Sequence, residues 1–195
     1  DDPDARLELQ RLYEEYGKWN GLVDFLKEEV RRLEEQGEET RPRRAELLGR
    51  MVDLYEDEIG HRVMALNTLQ DLVELDPDNM GAFERLRDML EESRRWNDLV
   101  NLLSDRAERL VDESKIDRAA DCYIEVVDIL EDELKHVSRA VDFLEQALEV
   151  APDRQDVRRR LEEIYTSKRD YESLFELRKQ EMQLYEGHER LQYLY

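Results

Sequence analysis

The 195 residues carry 51 acidic and 30 basic side chains, a formal charge of −21, with 42% charged and 40% apolar content. That balance excludes nucleic acid and anionic membrane as expected partners, because the phosphate attraction behind nonspecific affinity becomes repulsion. The single cysteine, Cys122, cannot close an internal disulfide. Three histidines are too few for most Cys/His zinc sites, and neither a membrane-length apolar run nor a basic, apolar leader is present at Asp1-Asp2-Pro3-Asp4. A soluble chain is expected, with a cytoplasmic setting favoured.

Seven glycines and four prolines leave few turns, so the composition favours helix. In chain order, Leu9, Leu12, Tyr13 and Tyr16 fall at i, i+3, i+4, i+7 and predict the first helix of a hairpin over 4–36. Leu48, Met51, Val52 and Tyr55 repeat that rhythm in a second hairpin over 41–76, and a third follows over 79–112. Tyr123, Val126, Val127 and Leu130 open a fourth over 116–151, a fifth covers 154–186, and 187–195 reads as the start of a truncated further helix. The stripes are wider than an a/d seam and turn signals interrupt them, which favours stacked hairpins over a coiled coil.

The hairpins are related to one another. RLYEEYGKWNGLVDFL (11–26) returns as DMLEESRRWNDLVNLL (88–103) and more weakly as EIYTSKRDYESLFELR (163–178), which aligns Trp19, Trp96 and Tyr171. Between them LYEDEIGHRVMALNTLQDLVELDPDN (54–79) matches ILEDELKHVSRAVDFLEQALEVAPDR (129–154) at an offset of 75, pairing His61 with His136, Ala65 with Ala140 and Pro77 with Pro152. A small or leucine residue early in each second helix, Leu22, Ala65, Leu99, Ala140 and Leu174, gives spacings of 43, 34, 41 and 34.

At these residues the chain resembles the tetratricopeptide-repeat family, whose unit is a 34-residue helix-turn-helix. The resemblance covers essentially all of 1–195 as one divergent all-α superhelix of five hairpins, with a working unit of about 75 residues. In the family's scheme Leu9, Met51, Leu86, Val126 and Leu161 fill the seventh position and Tyr13, Tyr55, Leu90, Leu130 and Tyr165 the eleventh. The small residue of the eighth is missing, replaced by Gln10, Val52, Arg87, Val127 and Glu162. Neither end resembles a polar solenoid cap, so the expectation is a segment of a longer array.

No nucleotide-binding glycine motif, HExxH, GxSxG or CxxC is present, and no serine has a histidine at helical spacing, so no catalytic residue, metal ligand or cofactor is expected. Trp19, Trp96 and Tyr171 read as packing aromatics, His61 and His136 as turn residues, and Cys122 as a small buried hydrophobe. The resemblance places the ninth, twelfth and thirteenth positions of first helices on a concave face. They supply the candidate partner-binding residues Asp53, Glu56, Asp57, Asp88, Glu91, Glu92, Asp128, Glu131 and Asp132. These acids fall in last helical turns, where the macrodipole disfavours negative charge, so helix stability does not explain them. Two readings stay open: an acidic groove for a Lys/Arg-rich protein or peptide segment, or a generally acidic surface offset by Arg50 to Asp53 and Arg85 to Asp88 at i, i+3. The sign of the charge opposes a clamp for a chaperone's C-terminal carboxylate. The expected function is a non-enzymatic protein-interaction scaffold; the alternatives are a spacer that self-associates through its solenoid ends, or a regulatory repeat segment of a larger multidomain protein.

Overall fold

The computed structural model describes the backbone of residues 3–192 and the side chains of 4–184. Every regular element among them is helical, as the periodicity requires. The chain forms two compact units, Asp1–Arg94 and Arg95–Tyr195. The first holds α1 (Pro3–Glu15), α2 (Trp19–Glu34), α3 (Arg41–Asp53), α4 (Arg62–Leu75) and α5 (Met80–Glu92). The second holds α6 (Trp96–Asp112), α7 (Ile116–Asp132), α8 (Val137–Val150), α9 (Gln155–Lys168) and α10 (Tyr171–Gln192). The boundary at Arg94 falls between α5 and α6, inside the hairpin expected over 79–112.

Within each unit the helices pack in sequence order, α1 to α5 and α6 to α10, each against its chain neighbours. The first core centres on Leu22, Leu26, Val52, Leu69, Leu86 and Leu90. The second is lined with small residues, Ala107, Ala119, Ala120, Ala140 and Ala147, all fully buried, which lets neighbouring helices approach closely. Burying such side chains supplies about 25 cal/mol per Å² of apolar surface. The stripe of α1 is covered less well. That helix packs mainly on α2, and Leu9, Leu12 and Tyr16 stay exposed.

The turns carry the repeat more sharply than the helices do. A residue in the left-handed region follows the first helix of every hairpin: Gly17 (φ 60°), Gly60 (φ 71°), Arg94 (φ 53°), Lys135 (φ 55°) and Arg169 (φ 58°). Each lies five residues before its marker Leu22, Ala65, Leu99, Ala140 or Leu174, so the spacings derived from the markers reappear in backbone geometry. In such a turn a left-handed residue lets later N–H groups cap the orphan carbonyls of the helix end. The N–H of His61 donates to the carbonyl of Tyr55 and that of His136 to Leu130, both at 2.7 Å.

Two features depart from the periodic pattern. Helix α3 continues as a π-helical turn, Leu54–Ile59, which keeps Tyr55 buried with the Lys27 ammonium 5.8 Å from its ring centroid. Helix α10 runs unbroken through Gly187 to Gln192, where the sequence suggested the start of a further helix. A lone glycine inside a helix costs only about 1 kcal/mol relative to alanine and does not end it. Residues 193–195 lie outside the described residues.

The turns generate a paired prediction. Nothing lies within 4 Å of a Cβ built on Gly60, so Gly60→Ala meets only backbone strain and should cost about 1 kcal/mol. Lys135→Gly removes that strain at the equivalent position and should gain roughly 0.5–1 kcal/mol. Urea denaturation should therefore move the two midpoints in opposite directions. Packing generates another. Leu99, 2% exposed, should lose about 2–5 kcal/mol on change to alanine, whereas Tyr171, 67% exposed, should change by under ~0.5 kcal/mol, read as shifts in melting temperature.

Candidate functional site

The nine acidic residues do not act as one set. In the first unit Asp53 ends α3 and Glu56 lies three residues on, so both carboxylates emerge on the same side of the helix. Arg85 of α5 reaches them together: its Nη1 donates to Asp53 Oδ1 (2.8 Å) and its Nε to Glu56 Oε2 (2.9 Å). In the second unit Arg160 of α9 does the same, donating from Nη1 to Asp128 Oδ1 (2.6 Å) and from Nη2 to Glu131. All three members recur at an offset of 75 residues. Burial opposes the charge on Arg85 and Arg160, yet the hydrogen bonds to their carboxylates outweigh it and raise both guanidinium pKa values. A shorter version joins α3 to α1, where Arg50 pairs with Glu14 and Arg11 stands in place of the aspartate.

These clamps correct the expected charge compensation. Arg50 does not turn to Asp53, nor Arg85 to Asp88, along its own helix; both reach back to the preceding first helix. A half-buried site between helices strengthens each pair beyond what an exposed i, i+3 contact provides, and two carboxylates satisfy more of the guanidinium fork.

The remaining candidates divide again. Glu92 pairs with Arg62 at the start of α4. Asp57, Asp88 and Glu91 in the first unit, and Asp132 in the second, are exposed and form no ion pair among the described residues. The fourth hairpin has Glu125 at the sixth position, where Arg50, Arg85 and Arg160 stand in the second, third and fifth. The arginine that recurs at this position in α3, α5 and α9 is thus missing from α7.

Sequence reasoning missed a further charged joint. Arg154, ahead of α9, donates to Asp121 of α7 (2.8 Å) and with two nitrogens to Asp156 in its own first turn (2.9 and 2.7 Å). The hydrogen bonds from Arg154 hold the Asp156 carboxyl down at about 2. The other singled-out residues have structural settings. Trp19 and Trp96 are half-buried and Tyr171 exposed at the starts of second helices; His61 and His136 occupy the N-caps of α4 and α8. Cys122 is half-buried, and burial raises its thiol pKa, which suppresses the reactive thiolate. Among the described residues no cluster of three or more His, Cys, Asp or Glu could hold a metal ion, and no helix is long and apolar enough to cross a membrane.

Five left-handed turns in step with five markers, and clamps recurring at 75 residues, make this a divergent tetratricopeptide-like helical repeat protein. Among solved structures it is similar to a putative kinesin light chain of Podospora anserina with nearly identical TPR-like repeats, at 16% identity over 91% of this chain and 92% of that one, TM-score 0.43. It is also similar to MamA of Desulfovibrio magneticus RS-1, at 17% identity over 94% and 95%, TM-score 0.37, and to a MamA RS-1 double mutant, at 16% over 95% of each, TM-score 0.38. At these values the likenesses bear on no site or partner. No family model matches the chain, and no curated protein does.

The Asp156 joint predicts a pH effect. A carboxyl whose folded pKa is depressed stabilises above its unfolded value, and that contribution fades as pH falls from roughly 4 toward 2. Because Asp156 is largely exposed, solvent screening limits the effect to under about 1 kcal/mol. Asp156→Asn should lower stability at pH 6 and match the parent near pH 2, measured by urea midpoints at both values.

Proposed function

We propose that this chain is a non-enzymatic protein-interaction scaffold that receives a Lys/Arg-rich segment of another protein, with Asp88 and Glu91 at the centre of the contact. The observation that carries this reading is the unfilled clamp. Asp53/Glu56 and Asp128/Glu131 each hold an arginine from the chain itself, whereas Asp88 and Glu91, at the same ninth and twelfth positions, form no ion pair among the described residues. Two carboxylates one helical turn apart suit a guanidinium or ammonium from outside. Asp57 and Asp132 extend the acidic surface of their own units, while the clamped acids have already spent their charge on arginine. The surface steers a cationic segment before contact, and that attraction weakens with salt.

A second reading, self-association, is favoured by exposed apolar side chains at the first and last described helices: Leu9 and Leu12 on α1 with Tyr16 just after it, and Tyr171, Phe175 and Met182 on α10. Size measured across a concentration series separates the two, since a scaffold for a foreign segment has no need to assemble.

Binding of a Lys/Arg-rich dodecapeptide should fall by about threefold to thirtyfold in the double variant Asp88→Lys, Glu91→Lys, on ~0.3–1 kcal/mol per exposed pair. The control reverses Asp24 on α2 and Glu74 on α4, both exposed and without an ion pair among the described residues; Glu28 and Glu29 are unsuitable because they hold arginines. Equal losses in the two double variants, or none in either, would leave the acids as a solubilising surface only.

A further inference from the structure

The fifth hairpin buries a charge that its neighbours do not. At the fourth position of first helices α3, α5 and α7 carry Leu48, Phe83 and Tyr123, all buried in core. Helix α9 puts Arg158 there, and it is only 2% exposed. Its Nη1 donates to the carbonyl of Leu177 (3.1 Å) and its Nη2 to that of Pro152 (2.8 Å), while Nε–H has no partner. A guanidinium carries five donors, so most of its capacity goes unused.

Among the described residues no carboxylate offsets that charge. Arg44, also buried, has Glu34 and Glu38 at 3.6 Å, but Arg158 forms no ion pair among the described residues. Arg6, at the same position of α1, is neutralised by Glu29 of α2. The corresponding residue of α10 is Glu181, and it lies instead 3.8 Å from Arg178. Burying a charge without a counter-ion is strongly unfavourable unless something supplies one.

Arg158 lines a cavity of about 910 Å³ formed by α8, α9 and α10. Leu148, Leu161 and Leu177 give it apolar wall, enough to pack the methylenes of a side chain. The acids around it differ in availability. Glu145 accepts the Tyr165 hydroxyl (2.5 Å) and Glu176 pairs with Lys179, whereas Glu149 and Glu172 form no ion pair among the described residues. A free anion would meet this acidic surround as repulsion; an anion with a cation beside it would not.

We propose that this cavity receives a glutamate or aspartate side chain of a partner polypeptide, its carboxylate hydrogen-bonded to Arg158 and a neighbouring lysine or arginine of that polypeptide meeting Glu149 and Glu172. The site lies wholly within the second unit and stands independently of Asp88 and Glu91.

Propionate, which reproduces the end of a glutamate side chain, tests the carboxylate chemistry on the full chain. In ¹⁵N-labelled protein the Arg158 Nε–Hε signal, assigned by its loss in Arg158→Leu or, should that variant fail to fold, in Arg158→Lys, should shift saturably with propionate and not with propionamide. No shift, or an equal shift with propionamide, overturns the site. So does a signal that moves in Glu181→Gln while ignoring propionate, which would mean a closed internal pair. A helical peptide with Glu and Lys four residues apart should bind at least about tenfold more tightly than propionate and lose that gain in its Gln/Lys counterpart. If propionate binds and the peptide gains nothing, the polypeptide source is wrong and the cavity is one for small carboxylates.

Discussion

No helix of this chain can bury its apolar stripe alone, and among the described residues each finds most of its cover on the helices next to it in sequence. Everything else follows from that constraint. A stripe wide enough to face two neighbours fixes the hairpin as the unit, and the turn must reverse the chain within a few residues, which calls for a left-handed backbone step. On α1 the cover is partial, and Leu9, Leu12 and Tyr16 remain exposed. The small residues of the second core show the same constraint from the other side, since alanines let helices close up until backbone nearly meets backbone.

Charge is arranged on a longer step, from one first helix to the next. A net charge of −21 would oppose compaction if the acids merely decorated the surface. Instead Arg85 and Arg160 each draw an aspartate and a glutamate of the preceding first helix into one fork, and Arg154 ties α7 to α9. Joints of this kind contribute modestly to stability singly, but they fix how one helix lies along the next. In α5, Asp88 and Glu91 form no such pair among the described residues. Where the pattern substitutes Arg158 for an apolar residue, a cation sits in core. Both exceptions break a rule that the rest of the chain obeys, which is why the two binding proposals rest on them.

The helices and the hairpin count were legible because apolar periodicity and marker spacing are local signals, and Leu9 to Tyr16 or Tyr123 to Leu130 state them openly. The acidic candidates were legible as residues but not as a site. Arg85 meets Asp53 and Glu56 from some thirty residues away, and periodicity within a helix says nothing about what reaches it sideways. The π-helical turn at Leu54–Ile59 was hidden because its counterpart 75 residues on has the same length and apolar spacing and begins as ordinary α-helix. The left-handed turns at Arg94, Lys135 and Arg169 were hidden for the opposite reason: glycine announces such a turn, as at Gly17 and Gly60, and long basic side chains do not.

The common offset of turn, clamp and N-cap has a consequence for how this chain can change length. Between Asp53 and Arg85, and again between Asp128 and Arg160, one inserted residue within a helix would rotate every later side chain on it by about 100° and misalign clamp, turn and marker together. The intervals of 43 and 41 residues take up their extra length outside those stretches, in the connection at 35–40 and in the longer helix ends that flank the three-residue connection at 113–115. Changes of length in this architecture are therefore taken up where one hairpin meets the next, by the connection and the helix ends beside it, while the clamped stretches keep their 32-residue spacing.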